Sequence, residues 1–179
     1  SCFGMCDGSI SATSTGGTPP YTYSWSTGQT GSVVSGICAG IYTYTVTDAI
    51  GCTSVPNTVL VTEPALISAT ISNTDIICNG MADGTATVVA TGGTAAAGYM
   101  YSWSPGGQAT QTATGLSVGT YTCTITDDNG CQEIVSVSIL EPDMISTVAT
   151  DVSVSCFGMC NGSISVTSTG GTSPYTYLW

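Results

Sequence analysis

No lysine, arginine or histidine occurs among the 179 residues, against eleven aspartates and glutamates, so the net charge is −11. Each missing cation removes a class of function. Nucleic-acid binding needs Lys or Arg to displace counterions from phosphate, and anionic membrane surfaces need them too. Without imidazole there is no Ser-His-Asp or Cys-His centre, and without lysine no Schiff base or phosphate-loop amine. Lys–Asn isopeptide staples and side-chain ion pairs are lost on the same ground. No apolar run approaches the roughly 18–20 residues of a membrane helix. The acidic residues are few and scattered, which fits solubility and self-repulsion rather than a disordered acidic tail.

What is present is a phrase written three times. Cys2–Trp25 (CFGMCDGSISATSTGGTPPYTYSW) returns as Cys156–Trp179 (CFGMCNGSISVTSTGGTSPYTYLW), and the two differ at only four of 24 positions. Cys78–Trp103 carries the same phrase with two extra residues before its tyrosines. Starts at 2, 78 and 156 give a period of about 77 residues, which describes tandem small domains rather than one large one. Glu63-Pro64 and Glu141-Pro142 punctuate the array. The expected domains are therefore 1–64, lacking its first strand, a complete repeat at 65–142, and the N-terminal part of a third at 143–179. The reading is of a window on a longer array, with targeting and anchoring signals elsewhere in the parent chain.

Within the middle copy, apolar and polar residues alternate with period two over Ala65–Ile77, Gly84–Ala90, Tyr99–Trp103, Thr120–Thr126 and Ile134–Leu140. A weaker polar strand is expected at Gln108–Ala113, and Asp128-Asn129-Gly130 signals a hairpin. Six or seven short strands without helical periodicity predict an all-β antiparallel sandwich. Trp25 and Trp103 on middle strands, with Tyr42 and Tyr121 on later ones, resemble the immunoglobulin-like layout and its tyrosine corner. These aromatics alternate with Thr and Ser, so they read as core rather than as a sugar-stacking platform. Sandwiches with strands of 8–10 residues at about 3.3 Å each, joined end to end through the Glu-Pro linkers, would each add roughly 30–40 Å.

Nine cysteines at recurring positions predict stapling in an oxidising compartment, because a repeat of this size gains only marginal stability from its core. Both longer copies keep a first and a last cysteine, which predicts Cys2–Cys52 and Cys78–Cys131. Cys6 and Cys38 are replaced together by Ala82 and Ser117 in the second copy, which predicts Cys6–Cys38. Cys156 and Cys160 are expected to pair with residues beyond Trp179, and Cys123 to be a buried free thiol. A loop of about 50 residues closed by one bridge gains roughly 4 kcal/mol in the chain-entropy model.

Other motifs are weaker. Zinc is disfavoured by the Cys2/Cys6 spacing and the lack of histidine. Asp7-Gly8, Asp83-Gly84 and Asn161-Gly162 read as turn residues. Asp127-Asp128-Asn129 could offer oxygens to calcium, but the first copy has Asp48-Ala49-Ile50 there. Asn161-Gly162-Ser163 matches a glycosylation sequon. No catalytic, cofactor or metal site is assigned.

The C-x-G-x-x-D/N-G start, the TGGT…YTYSW block, the G-x-Y-T-x-T-x-T-D block and the Gly-Cys end together resemble the SprB-type repeat of Bacteroidota gliding adhesins, and more distantly PKD domains. The resemblance implies tandem Ig-like (PKD-like) sandwiches, type IX secretion and long threads at the cell surface. It implies a part in adhesion or gliding motility. Expected partners are neighbouring repeats of the same chain, surface polysaccharide or other copies of the fibre. The rival expectations are a spacer or carbohydrate-binding module of a secreted polysaccharide-degrading enzyme, and a subunit of a laterally assembled filament.

Overall fold

Period-two alternation in segments rich in Thr and Val suits a half-buried pleated strand and no helix. The computed structural model describes residues 1–179, and its regular elements are thirteen strands. The first copy holds β1 (Gly8–Ser11), β2 (Thr22–Trp25), β3 (Val33–Ile37), β4 (Gly40–Thr47) and β5 (Asn57–Val61). The second holds β6 (Ala65–Thr74), β7 (Gly84–Gly93), β8 (Met100–Ser104), β9 (Thr112–Leu116), β10 (Gly119–Thr126) and β11 (Gln132–Ile139). β12 (Ser146–Val152) and β13 (Ser163–Thr169) follow. No helix is long and apolar enough to cross a membrane.

Each longer copy is a two-sheet sandwich. In the second, one sheet runs β6-β7-β9 and the other β11-β10-β8. In the first, β1-β3 and β2-β4-β5 repeat that order with no counterpart of β6. β12 and β13 pair antiparallel from Ser146↔Thr169 to Val152↔Ser163. Thr176–Trp179, the counterpart of β2, joins no sheet; β2 pairs with β4, and the third copy has no such strand among these residues.

The chain divides into two compact units: residues 1–68 with 90–99 and 126–133, and residues 69–89 with 100–125 and 134–179. In the first unit, Ile10, Ala12, Trp25, Val34 and Ile37 form a buried cluster, flanked by Tyr23, Tyr42 and Tyr44. Trp25 stands opposite Tyr44 across the β2–β4 ladder, with ring centroids 4.5 Å apart. In the second unit, Ala86, Val88 and Ala113 from one sheet and Trp103, Tyr121, Cys123 and Ile125 from the other are buried. Tyr42 is half-buried, and its hydroxyl donates to Cys38 O at 2.9 Å. Tyr121 repeats this with Ser117 O at 3.1 Å. A core tryptophan on a middle strand and a tyrosine bonded back to the backbone four residues upstream give the Ig-like layout.

One strand moved. The expectation at Gln108–Ala113 is met by β9 at Thr112–Leu116, and the cause is Trp103. Its backbone N–H donates to Gln108 O and its indole N–H donates to Thr110 O, both at 2.9 Å. Gln108 Nε2 donates to Thr114 O at 2.9 Å while Thr114 N donates to Gln108 Oε1 at 3.0 Å. The glutamine amide thus satisfies backbone groups that a neighbouring strand would otherwise pair. The two Trp103 bonds hold the stretch before β9 as a loop over the indole.

Candidate functional site: a seam closed by cysteine

Every copy opens on the same turn. Gly4, Gly80 and Gly158 take positive φ, where a side chain would strain the backbone. In each turn the methionine N–H returns to the cysteine carbonyl: Met5 to Cys2 and Met81 to Cys78 at 3.1 Å, Met159 to Cys156 at 3.2 Å. The linker glutamate then fastens the turn. Glu63 Oε2 accepts the Gly4 N–H at 2.6 Å, and Glu141 Oε2 accepts the Gly80 N–H at 2.8 Å. The Asp/Asn-Gly step that follows is a turn closure: Asp83 Oδ1 accepts from Ile77 N and Asn161 Oδ1 from Ser155 N.

The longer copies also end on one loop, shaped by an aspartate clasp. Asp127 Oδ1 accepts the N–H groups of Asn129 and Cys131, both at 2.9 Å, and Oδ2 accepts Thr94 N–H at 2.8 Å. Asp48 does the same with Ile50, Cys52 and Thr18 at 3.1, 2.8 and 3.1 Å. Both carboxylates are thus occupied by backbone donors. The TGGT block makes room for this clasp. A Cβ on Gly93 would stand 2.7 Å from Asp127 Oδ2, and one on Gly92 would collide with Leu66 O.

The Thr94 N–H bond, helped by Cys131 and Asn129, holds the Asp127 carboxyl below the usual carboxylate range, against the opposing effect of burial. Thr18 and Cys52 hold Asp48 low in the same way. A depressed folded-state value means that the clasp contributes fully above the ordinary carboxylate range. Its contribution is lost as pH falls through the folded value. Melting temperature should therefore fall on acidification below about pH 5. A D48N/D127N double variant should melt lower at neutral pH and show a flatter acid limb; an unchanged limb would show that the clasp is not the acid-sensitive element.

The two motifs meet at a bond. Cys2, on the opening turn of the first copy, is joined to Cys131, on the end loop of the second, with Cα atoms 5.6 Å apart. Asn129 Nδ2 donates to Ser1 O beside it at 3.1 Å. This corrects the expected Cys2–Cys52 and Cys78–Cys131 pairs: Cys52 and Cys78 are free and exposed. The reason is spatial. The Glu63-Pro64 link brings the opening turn of one copy against the end loop of the next, and the bond crosses that seam instead of closing one sandwich. Co-occurrence of first and last cysteines cannot distinguish these schemes, since both keep the two together.

Cys6 is joined to Cys38 within the first copy. Cys123 is free and fully buried, its thiol pushed up chiefly by burial. Cys156 and Cys160 are free and exposed. Trp25 and Trp103 are both buried, at 4% and 2% exposure. No cluster of acidic or cysteine side chains is arranged to hold a metal ion.

A family model described as "SprB repeat" matches residues 1–30, 70–108 and 148–179, together more than half of the chain. The chain belongs to the SprB repeat family. Its three matched segments open on the three copies of the cysteine turn or on the strand that leads into it. SprB membership makes this a surface adhesin-type repeat protein. The two disulfides fit SprB repeats folding outside a reducing cytoplasm. Among solved structures, an amphioxus IgVJ-C2 molecule matches at 15% identity and a TM-score of 0.34, covering 75% of this chain and 97% of its own. No curated protein matches the chain.

Proposed function

We propose that this chain is a non-catalytic segment of a long extracellular surface fibre, supplying reach and multivalent adhesion for gliding or attachment at the cell surface. The observation that carries the reading is the seam: successive SprB copies are joined by a covalent bond as well as by the chain. A device that ties one repeat to the next suits a thread that bears load more than a catalyst that must open and close. The side-chain inventory agrees, since it has no imidazole, amine or guanidinium to activate a nucleophile or stabilise an anion. Weak contacts repeated along such a thread add by effective concentration without a strong single site. Neighbouring repeats, surface polysaccharide and other fibre copies are the partners this reading supplies.

The test is retention in a flow cell. The oxidised 179-residue chain and a tandem duplicate of it are immobilised on beads at equal mass and passed over glass, agarose, chitin and bacterial cells. Retention that rises steeply with repeat number supports adhesive repeats. Equal, background-level retention on every surface would overturn the adhesive part and leave a stalk.

A further inference from the structure

The second SprB copy carries an opening turn that matches the bonded one but lacks a partner. Around Cys2 the cleft is walled by Pro64–Ile67 and Gly93, with Cys131 closing it. Around Cys78 it is walled by Pro142–Ile145 and Gly171, the same positions one repeat on, and no cysteine closes it. The turn hydrogen bonds, the positive-φ glycine and the glutamate anchor are the same at both places. A Cβ on Gly171 would meet Ile145, as one on Gly93 would meet Ile67, so the double glycine shapes both clefts.

The complementary half also exists in duplicate. The loop that presents free Cys52 has the clasp of the loop that presents bonded Cys131. Asp48 N to Cys52 O and Asp127 N to Cys131 O are both 3.0 Å. The glycine before each cysteine closes onto its aspartate carbonyl, at 3.1 Å for Gly51 and 3.0 Å for Gly130. Neither half needs rebuilding to form the bond that its twin has formed.

We propose that Cys78 is the receiving half of a second seam, and that its occupant is the terminal Asp-x-x-Gly-Cys loop of the repeat begun by β12 and β13. Cys52 is the donating half of a further seam of the same kind. The staple thus runs from the start of one SprB repeat to the end of the next, never from start to end of one repeat. Two thiols become one disulfide with release of two protons. The two electrons pass by thiol–disulfide exchange to a small-molecule disulfide such as oxidised glutathione, which leaves as two thiols.

The test completes the third repeat. The full chain is extended after Trp179 with a second copy of residues 26–64, folded in a glutathione redox buffer, and mapped without reduction after Asp- and Glu-directed cleavage. Trypsin has no site in this sequence. The expected map joins Cys78 to the added counterpart of Cys52, alongside Cys2–Cys131 and Cys6–Cys38. The Cys2–Cys131 pair in the same map reports that the known seam has folded. The proposal is overturned if the added cysteine is joined to Cys156, or if Cys78 remains free while Cys2–Cys131 is formed. In the extended C78S variant the added end cysteine should become a free, alkylatable thiol; its transfer to Cys156 would instead show closure within one repeat.

Discussion

Stretched between its two ends, the oxidised chain should lengthen by little more than the segment after Cys131, and a C131S variant should release roughly 320–350 Å more. The bond bypasses a separation of 129 residues, of which Cys6–Cys38 keeps 32 closed in the variant, leaving about 97 at roughly 3.3–3.6 Å each. Reduction, which opens both bonds, should raise the gain to roughly 430–460 Å. Non-covalent contacts cannot imitate this, because they yield under load while a disulfide sets a limit on length. Single-molecule force spectroscopy reads the increment directly. Equal increments for oxidised chain and variant would show that the seam bond is not formed in solution.

Trp103→Ala should destabilise the second SprB repeat by about 3–5 kcal/mol, the range for emptying an aromatic site in a packed core. Trp103 is 2% exposed and its indole N–H is bonded to Thr110 O, so truncation removes packing and orphans a carbonyl over the loop. Urea midpoints at constant m-value measure the loss. A loss below about 1 kcal/mol for Trp103→Ala would mean that the indole does not hold the two sheets together.

Strands and faces were legible in the sequence for a simple reason. Period-two alternation is a local property, and Tyr121, Cys123 and Ile125 point inward in the structure because the pleat obliges them to. β9 was less legible because the bonds from Trp103 to Gln108 and Thr110, rather than the local alternation, keep the stretch before it out of the sheet. The partner of Cys2 was illegible for a different reason. Proximity across a seam depends on how one copy packs on the next, and nothing in the spacing of cysteines encodes it. One trace did exist: Glu63 and Glu141 precede proline at both links, and their carboxylates fasten the turns that present Cys2 and Cys78. Read as punctuation, they hid their part in positioning the bond.

The Cys2–Cys131 bond also changes what damage means for this molecule. A protease or an oxidative cut anywhere between those two residues leaves both ends of the chain in one covalent piece, because the path around the break is already closed. In the proposed surface fibre, a single nick in that interval would be a local wound rather than a severed thread.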